Sequence, residues 1–264
     1  MKPFVKLLPI LLLVASSCMG DFDNAETYLN SGQYEKALRE TNRLLFFNNA
    51  DIRVLNLRAR SYTELEQYEE AIRDYEHILR WDPRNALAYA SIGRIHWLQE
   101  NYDDAEYNLL RAVGLEPTNV PFLVLLGRVM IKKENYEKAD EFLFLAREVD
   151  PTEASIYFYR GIAQAHLGDV LGTAAQFNTY LRYSPGDLTA HYNRGYAFLQ
   201  MGFIEWALGD FEFVLRAKPD HYEALARRAI CLMKDNPTQA CQDLQLAASK
   251  GSKYAQAHLG DCKP

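Results

Sequence analysis

Pro83, Pro117, Pro151, Pro185 and Pro219 follow one another at intervals of 34 residues, and Gly93, Gly127, Gly161 and Gly195 keep the same spacing. A fixed period of this length confines the chain to architectures in which one short unit stacks on copies of itself. No single unit of that size can bury its apolar face alone. Tyr34, Tyr68, Tyr102 and Tyr136 share the interval, as do Ala37, Ala71, Ala105, Ala139 and, after Thr173 interrupts the series, Ala207. Within residues 86–119, Tyr89, Ile92, Gly93 and His96 repeat at helical spacing, and so do Ala105, Leu109 and Ala112 further on. Each unit therefore reads as two helices. Gly93 and Ala105 are small where the helices cross, and Pro117, lacking an amide hydrogen, stops the second helix.

This pattern resembles the tetratricopeptide repeat. The resemblance implies an all-α fold, a right-handed superhelical solenoid of stacked helix-turn-helix units. Repeats align without a gap at 52–85, 86–119, 120–153, 154–187 and 188–221. A looser one occupies about 21–51, with Ala25, Tyr28, Gly32, Tyr34 and Ala37 in register and Asn49 in place of the proline. Residues 222–264 read as a divergent repeat with a capping helix, because the stretch from Leu232 to Ala240 is one residue shorter than its counterpart from Phe198 to Ala207. Ala240, Leu244, Ala247, Gly251, Ala255 and Leu259 resemble half of a Sel1-like repeat.

At the N-terminus, Lys2 and Lys6 precede an apolar run, Leu7 to Ala15, that is too short to span a bilayer. The run leads through Val14-Ala15-Ser16-Ser17 to Cys18, which resembles the lipobox of bacterial lipoproteins. That resemblance implies removal of residues 1–17, lipid attachment at Cys18 and a tether over residues 18–22 ahead of a solenoid at 23–264. An ordinary secretory signal cleaved near Ser17 is the competing reading. Met19, and not aspartate, follows the cysteine. By the sorting rule of enteric bacteria this points to the outer membrane, with the protein facing the periplasm or the surface. Loss of Lys2 and Lys6 makes the mature chain two charges more negative than the −6 of the whole. Such an acidic balance argues against nucleic-acid binding.

In tetratricopeptide proteins the first helix of each unit lines a concave groove through its second, fifth, ninth and twelfth positions. The ninth positions here are Glu26, Arg60, Arg94, Arg128, Ile162, Tyr196 and Ile230. The fifth include Asn56, Phe158 and Tyr192, and Trp97 stands at a twelfth. The expectation is a groove basic in its first half and aromatic in its second, suited to an extended, partly acidic protein segment whose carboxylates meet Arg60, Arg94 and Arg128. Internal pairing of these arginines and internal packing of the aromatics is the other reading. Arg160, Arg194 and Arg228 recur at the seventh position and call for no ligand.

The six histidines show no HExxH arrangement or zinc spacing, and no phosphate loop or nucleophile elbow is present, so neither a metal, a cofactor nor an enzymatic activity is expected. Cys231 occupies a repeat position held elsewhere by Ser61, Ile95, Val129, Ala163 and Ala197 and reads as a core residue. Cys241 and Cys262 are then the better pair for a bridge across the cap, or two unpaired thiols within it. The sequence thus describes a lipid-anchored scaffold or adaptor of the cell envelope. The alternative is a permanent structural subunit of an outer-membrane assembly or secretion machine, contacting partners through its convex face or cap.

Overall fold

The computed structural model describes residues 21–262. The signal segment, Cys18 and the tether before Asp21 lie outside the described residues. Among the described residues the chain forms fifteen α-helices and one short 3-10 turn, with no strand. It divides into two compact units, the first ending at Leu126 and the second starting at Gly127.

The first unit contains α1 (Phe22–Asn30), α2 (Tyr34–Phe47), α3 (Ile52–Glu64), α4 (Tyr68–Trp81), α5 (Ala86–Leu98) and α6 (Tyr102–Leu115); α7 (Val120–Lys132) runs across the boundary. The second continues with α8 (Tyr136–Val149), α9 (Ala154–Leu167), α10 (Val170–Tyr183), α11 (Leu188–Gln200), α12 (Ile204–Ala217), α13 (Tyr222–Leu232), α14 (Pro237–Ser249), α15 (Lys253–His258) and the 3-10 turn Leu259–Asp261. Consecutive helices pair as hairpins. Phe22, assigned to the tether by sequence, already belongs to α1, because Asp21 caps that helix by accepting from the amides of Asp23 and Asn24.

What brings the two helices of a hairpin together is the absence of a side chain. A Cβ at Gly93 would lie 2.8 Å from Leu109 Cγ, and one at Gly161 would lie 2.9 Å from the Phe177 ring. Ala105 faces the Gly93 crossing and Ala207 that of Gly195, and both are wholly buried. Leu109, Leu143, Phe177 and Phe211, at one repeat position, then fill the hairpin cores as fully buried side chains. Each periodic proline lies two residues beyond a helix end, as Pro83 does after Trp81.

The hairpin turns impose a second backbone condition. Gly32, Glu66, Glu100, Glu134, Gly168 and Gly202, again 34 residues apart, all adopt φ between 57° and 78°. Glycine takes this left-handed conformation freely, whereas the Cβ of glutamate resists it. Glu66→Gly, Glu100→Gly and Glu134→Gly should therefore each stabilise the fold by roughly 0.5–1 kcal/mol. Chemical denaturation measures this, with the three alanine variants showing no gain and so excluding simple loss of charge.

Buried ion pairs add direction to the apolar stack. Arg58 donates from Nε and Nη2 to Asp74 at 2.8 and 2.6 Å, and from Nη1 to Asn42 at 2.8 Å. Arg194 repeats this arrangement with Asp210 at 2.9 and 2.7 Å and with Asn178 at 3.1 Å. Arg228 holds Asp243 at 2.8 and 2.9 Å, its partner lying one residue nearer in sequence because the last hairpin is shortened. Arg160 cannot follow the scheme, since Gln176 stands where the aspartate would be. It turns back to Asp140 on α8 instead, at 2.8 and 3.2 Å. The Arg58 and Arg194 forks thus tie the two helices of their own hairpin together, and Asn42 and Asn178 bind these arginines to the hairpin before, as Asp140 binds Arg160. Asp210→Ala would strand Arg194 without its carboxylate and should cost about 3–5 kcal/mol in a denaturation experiment.

Candidate functional site

The basic half of the expected groove is placed unevenly. Asn56 and Arg60 stand one turn apart on α3 and line a cleft of about 290 Å³ with Glu26, Phe22 and Ile52, closed at one side by Leu87 from the start of α5. Asn56 is half-buried and Arg60 exposed. Neither Arg60 nor Glu26 forms an ion pair among the described residues. Arg94 reaches Glu64 at 3.7 Å with both side chains nearly half exposed, a loose contact worth little in water. In the second unit the Arg128 guanidinium lies 5.1 Å from the centre of the Tyr159 ring. Trp97 is half-buried near the end of α5.

The aromatic residues are engaged within the chain. Phe158 packs edge-on against Phe177 and tilts against Tyr180, at ring distances of 6.0 and 5.1 Å. Tyr192 and Tyr196 face Arg227 of α13, whose guanidinium carbon lies 5.3 and 4.8 Å from their ring centres and 4.6 Å from that of Tyr254. Three aromatic faces around one cation form a strong electrostatic contact when water is displaced. Arg227 also donates to Glu223 Oε2 at 2.6 Å, while its Nε is buried without a hydrogen-bond partner. Burial pushes the Tyr192 phenol up to about 12. Burial alone would raise the Glu223 carboxyl, yet hydrogen bonds from Ser252 and Arg227 hold it below its usual value. Sequence reasoning passed over Arg227 because the sixth repeat position is not one of the groove positions. The available signal was the Arg227-Arg228 doublet, where preceding units carry Leu57, Tyr159 or Asn193 before the arginine.

A larger cleft, about 700 Å³, opens on the second-helix side of the hairpins between α10 and α12. Leu171, Ala174, Phe198, Phe203 and Trp206 form its apolar wall, with Glu205 also on its lining. Trp206 lies 5.2 Å from both Phe198 and Phe203. Leu171 and Trp206 are 72% and 62% exposed, far more than packing of the hairpin requires. The sequence reading named the convex face as a contact surface without finding these residues.

The structure joins Cys241 on α14 to Cys262 after the final turn, with Cα atoms 5.6 Å apart. Cys231 is a free, buried thiol that desolvation pushes up to about 11. No group of three histidine, cysteine, aspartate or glutamate side chains among the described residues is arranged to hold a metal ion. No helix among them is long and apolar enough to cross a membrane.

The sequence matches the tetratricopeptide repeat family over residues 56–120 and 192–258, and a second tetratricopeptide repeat profile over 96–158. The chain belongs to the tetratricopeptide repeat family. Among solved structures it is similar to YrrB, described as a TPR protein with an unusual peptide-binding site, at 25% identity and TM-score 0.64 over 72% of this chain and 97% of that one. The C-terminal part of a TPR repeat-containing protein from Cytophaga hutchinsonii matches at 17% identity and TM-score 0.68, over 90% and 99% of the two chains. PilW, a type IV pilus biogenesis factor, matches at 20% identity and TM-score 0.61, over 79% and 98%. No curated protein sequence matches the chain. Tetratricopeptide proteins are generally scaffolds that bind other proteins, and this chain carries that fold.

The cysteine arrangement yields a direct test. Closing a segment with a sequence separation of 21 should stabilise the cap by roughly 3 kcal/mol. Cys241→Ser with Cys262→Ser should accelerate amide exchange in α14 and α15, while Cys231 in the native protein resists thiol reagents that label it at once on unfolding.

Proposed function

We propose that this chain is a lipid-anchored protein-interaction scaffold or adaptor of the bacterial cell envelope that takes a protein segment along the first-helix side of its hairpins. The observation that carries this reading is the α1–α3 cleft, where Arg60 projects an exposed guanidinium with no internal counter-ion beside the half-buried amide of Asn56. A cation left without a partner on a concave wall is suited to a carboxylate of an extended acidic segment, and the neighbouring Ile52 and Leu87 offer apolar contact to the same ligand. Arg94, only loosely held by Glu64, is free to exchange that partner for a ligand's carboxylate. The likeness to YrrB supports peptide binding as the mode. Anchoring through Cys18, cleavage before it and an outer-membrane location follow from the lipobox resemblance in the same reading. In the second unit the proposal assigns Phe158, Tyr192 and Tyr196 a role in shaping the wall, since the chain itself already occupies a face of each tyrosine with Arg227.

A second reading, a permanent structural subunit held through the opposite side, is favoured by the exposed apolar wall of Leu171, Phe203 and Trp206. One experiment separates the two. Copurification from native membranes after crosslinking should lose a specific partner by about tenfold with Arg60→Glu, a change on the order of 1.4 kcal/mol, and keep it with Leu171→Ser and Trp206→Ser combined. The converse pattern, with helical content unchanged in both variants, would assign the interaction to the α10–α12 cleft and refute groove binding.

A further inference from the structure

The first hairpin ends in two exposed aromatic side chains that no part of the described chain covers. Phe46 is 84% exposed and Phe47 63%, their rings edge to face at 5.2 Å, at the last turn of α2. One repeat further on, Trp81 at the last turn of α4 is 64% exposed, and Leu87 at the start of α5 is 52% exposed. Leu45 and Ile78, just before these rings, share one buried cluster with Leu55 of α3, so the two helix ends are set side by side by the core itself.

The position of this edge relative to the tether follows from helix lengths. α1 has 9 residues and α2 has 14, joined by a tight turn. At 1.5 Å per residue, α2 runs back past the start of α1 by about 7 Å. Phe46 and Phe47 therefore stand beyond the start of α1, at the Asp21 end of the hairpin. Cys18 precedes Asp21 by three residues, which span at most about 11 Å.

The polar groups here are sorted. Asp21, Asp51 and Asp82 are engaged by backbone amides: Asp21 accepts from Asp23 and Asn24, Asp51 from Arg53 and Val54, Asp82 from Arg84. Arg84 is exposed, and Arg53, with 76% of its side chain in solvent, lies over the Phe22 ring and donates to Asp51 Oδ2 at 3.4 Å. Aromatic rings with arginines at their margin and carboxylates already engaged by backbone amides match the chemistry of a headgroup boundary, where rings enter the acyl edge and guanidinium groups stay at the phosphates.

We infer that the end of the first two hairpins, led by Phe46, Phe47 and Trp81, is a membrane-contact surface that lies in the bilayer interface and holds the scaffold against the membrane at a set orientation. This inference rests on the proposed acylation of Cys18, which brings that edge within reach of the lipid. The anchor supplies attachment and the rings supply orientation.

The test uses the full-length acylated protein in vesicles of phosphatidylethanolamine and phosphatidylglycerol that contain a dibrominated lipid. The Trp81 fluorescence, obtained by subtracting the signal of Trp81→Phe, should be quenched at least about twofold. Phe46→Ser with Phe47→Ser should abolish most of that quenching while the circular dichroism stays unchanged. In an unacylated Cys18→Ser background the same pair of changes should lower vesicle partition by about tenfold, as loss of partly inserted phenyl groups requires. Mass analysis of residue 18 in native membranes separates the two ideas. An acylated Cys18 with Trp81 unquenched and partition unchanged overturns the contact surface and leaves the anchor standing. An unmodified Cys18 with partition still dependent on Phe46 and Phe47 removes the anchor and keeps the surface. If the phenylalanine changes instead release a protein from native membranes and leave vesicle partition untouched, that protein is the occupant and the bilayer assignment is wrong.

Discussion

The rest of the structure depends on how closely the two helices of a hairpin can approach. Glycine on one helix and alanine on the other leave room for a single large residue, such as Leu109 or Phe211, to lie across the crossing and exclude water. A Cβ at Gly127 would come within 2.7 Å of Leu143, so the distance is set by backbone against side chain with almost no slack. Repeating that contact every 34 residues produces hairpins of the same geometry from sequences that agree at few other positions. It also frees the remaining surface. Once the crossing is secured, the outer positions of both helices carry whatever partners require.

On this frame the polar residues divide into those the fold consumes and those it leaves available. Arg58, Arg194 and Arg228 are consumed in bidentate pairs with buried aspartates. Arg227 is consumed by three tyrosines, which removes most of the aromatic half of the groove from simple availability. Arg60 is left over, and so, on other faces, are Phe46, Phe47, Leu171 and Trp206. The surplus is what identifies candidate surfaces, because an arginine without a carboxylate or a tryptophan in water stabilises nothing in the isolated chain.

The fold was legible because period, small residues and prolines all report the same backbone constraint. Gly93 and Ala105 could be assigned to a helix crossing from the sequence alone, since both are small and recur with the period. The site was less legible, for a physical reason. Whether Arg94 or Arg128 is available depends on side-chain reach, Glu64 and Tyr159 being distant in sequence and near in space. Arg160 shares a repeat position with Arg194 yet binds a different helix, because Gln176 replaces the aspartate and Phe144, not an asparagine, lies against its guanidinium. Position within the period fixes where a side chain starts. Its neighbours decide where it ends.

The backward hydrogen bonds of the seventh-position arginines have a consequence for the order of the units. Arg58 is completed by Asn42, Arg194 by Asn178 and Arg160 by Asp140, each in the preceding hairpin. Units that look interchangeable by period are therefore not interchangeable in fact. Transplanting the 154–187 hairpin behind 52–85, where Ile72 stands at the position of Asp140, would bury a guanidinium with no carboxylate waiting, whereas its native predecessor supplies one. The array carries its own running order in these polar matches, so that permuting or deleting whole repeats is penalised even where every apolar contact could be re-formed.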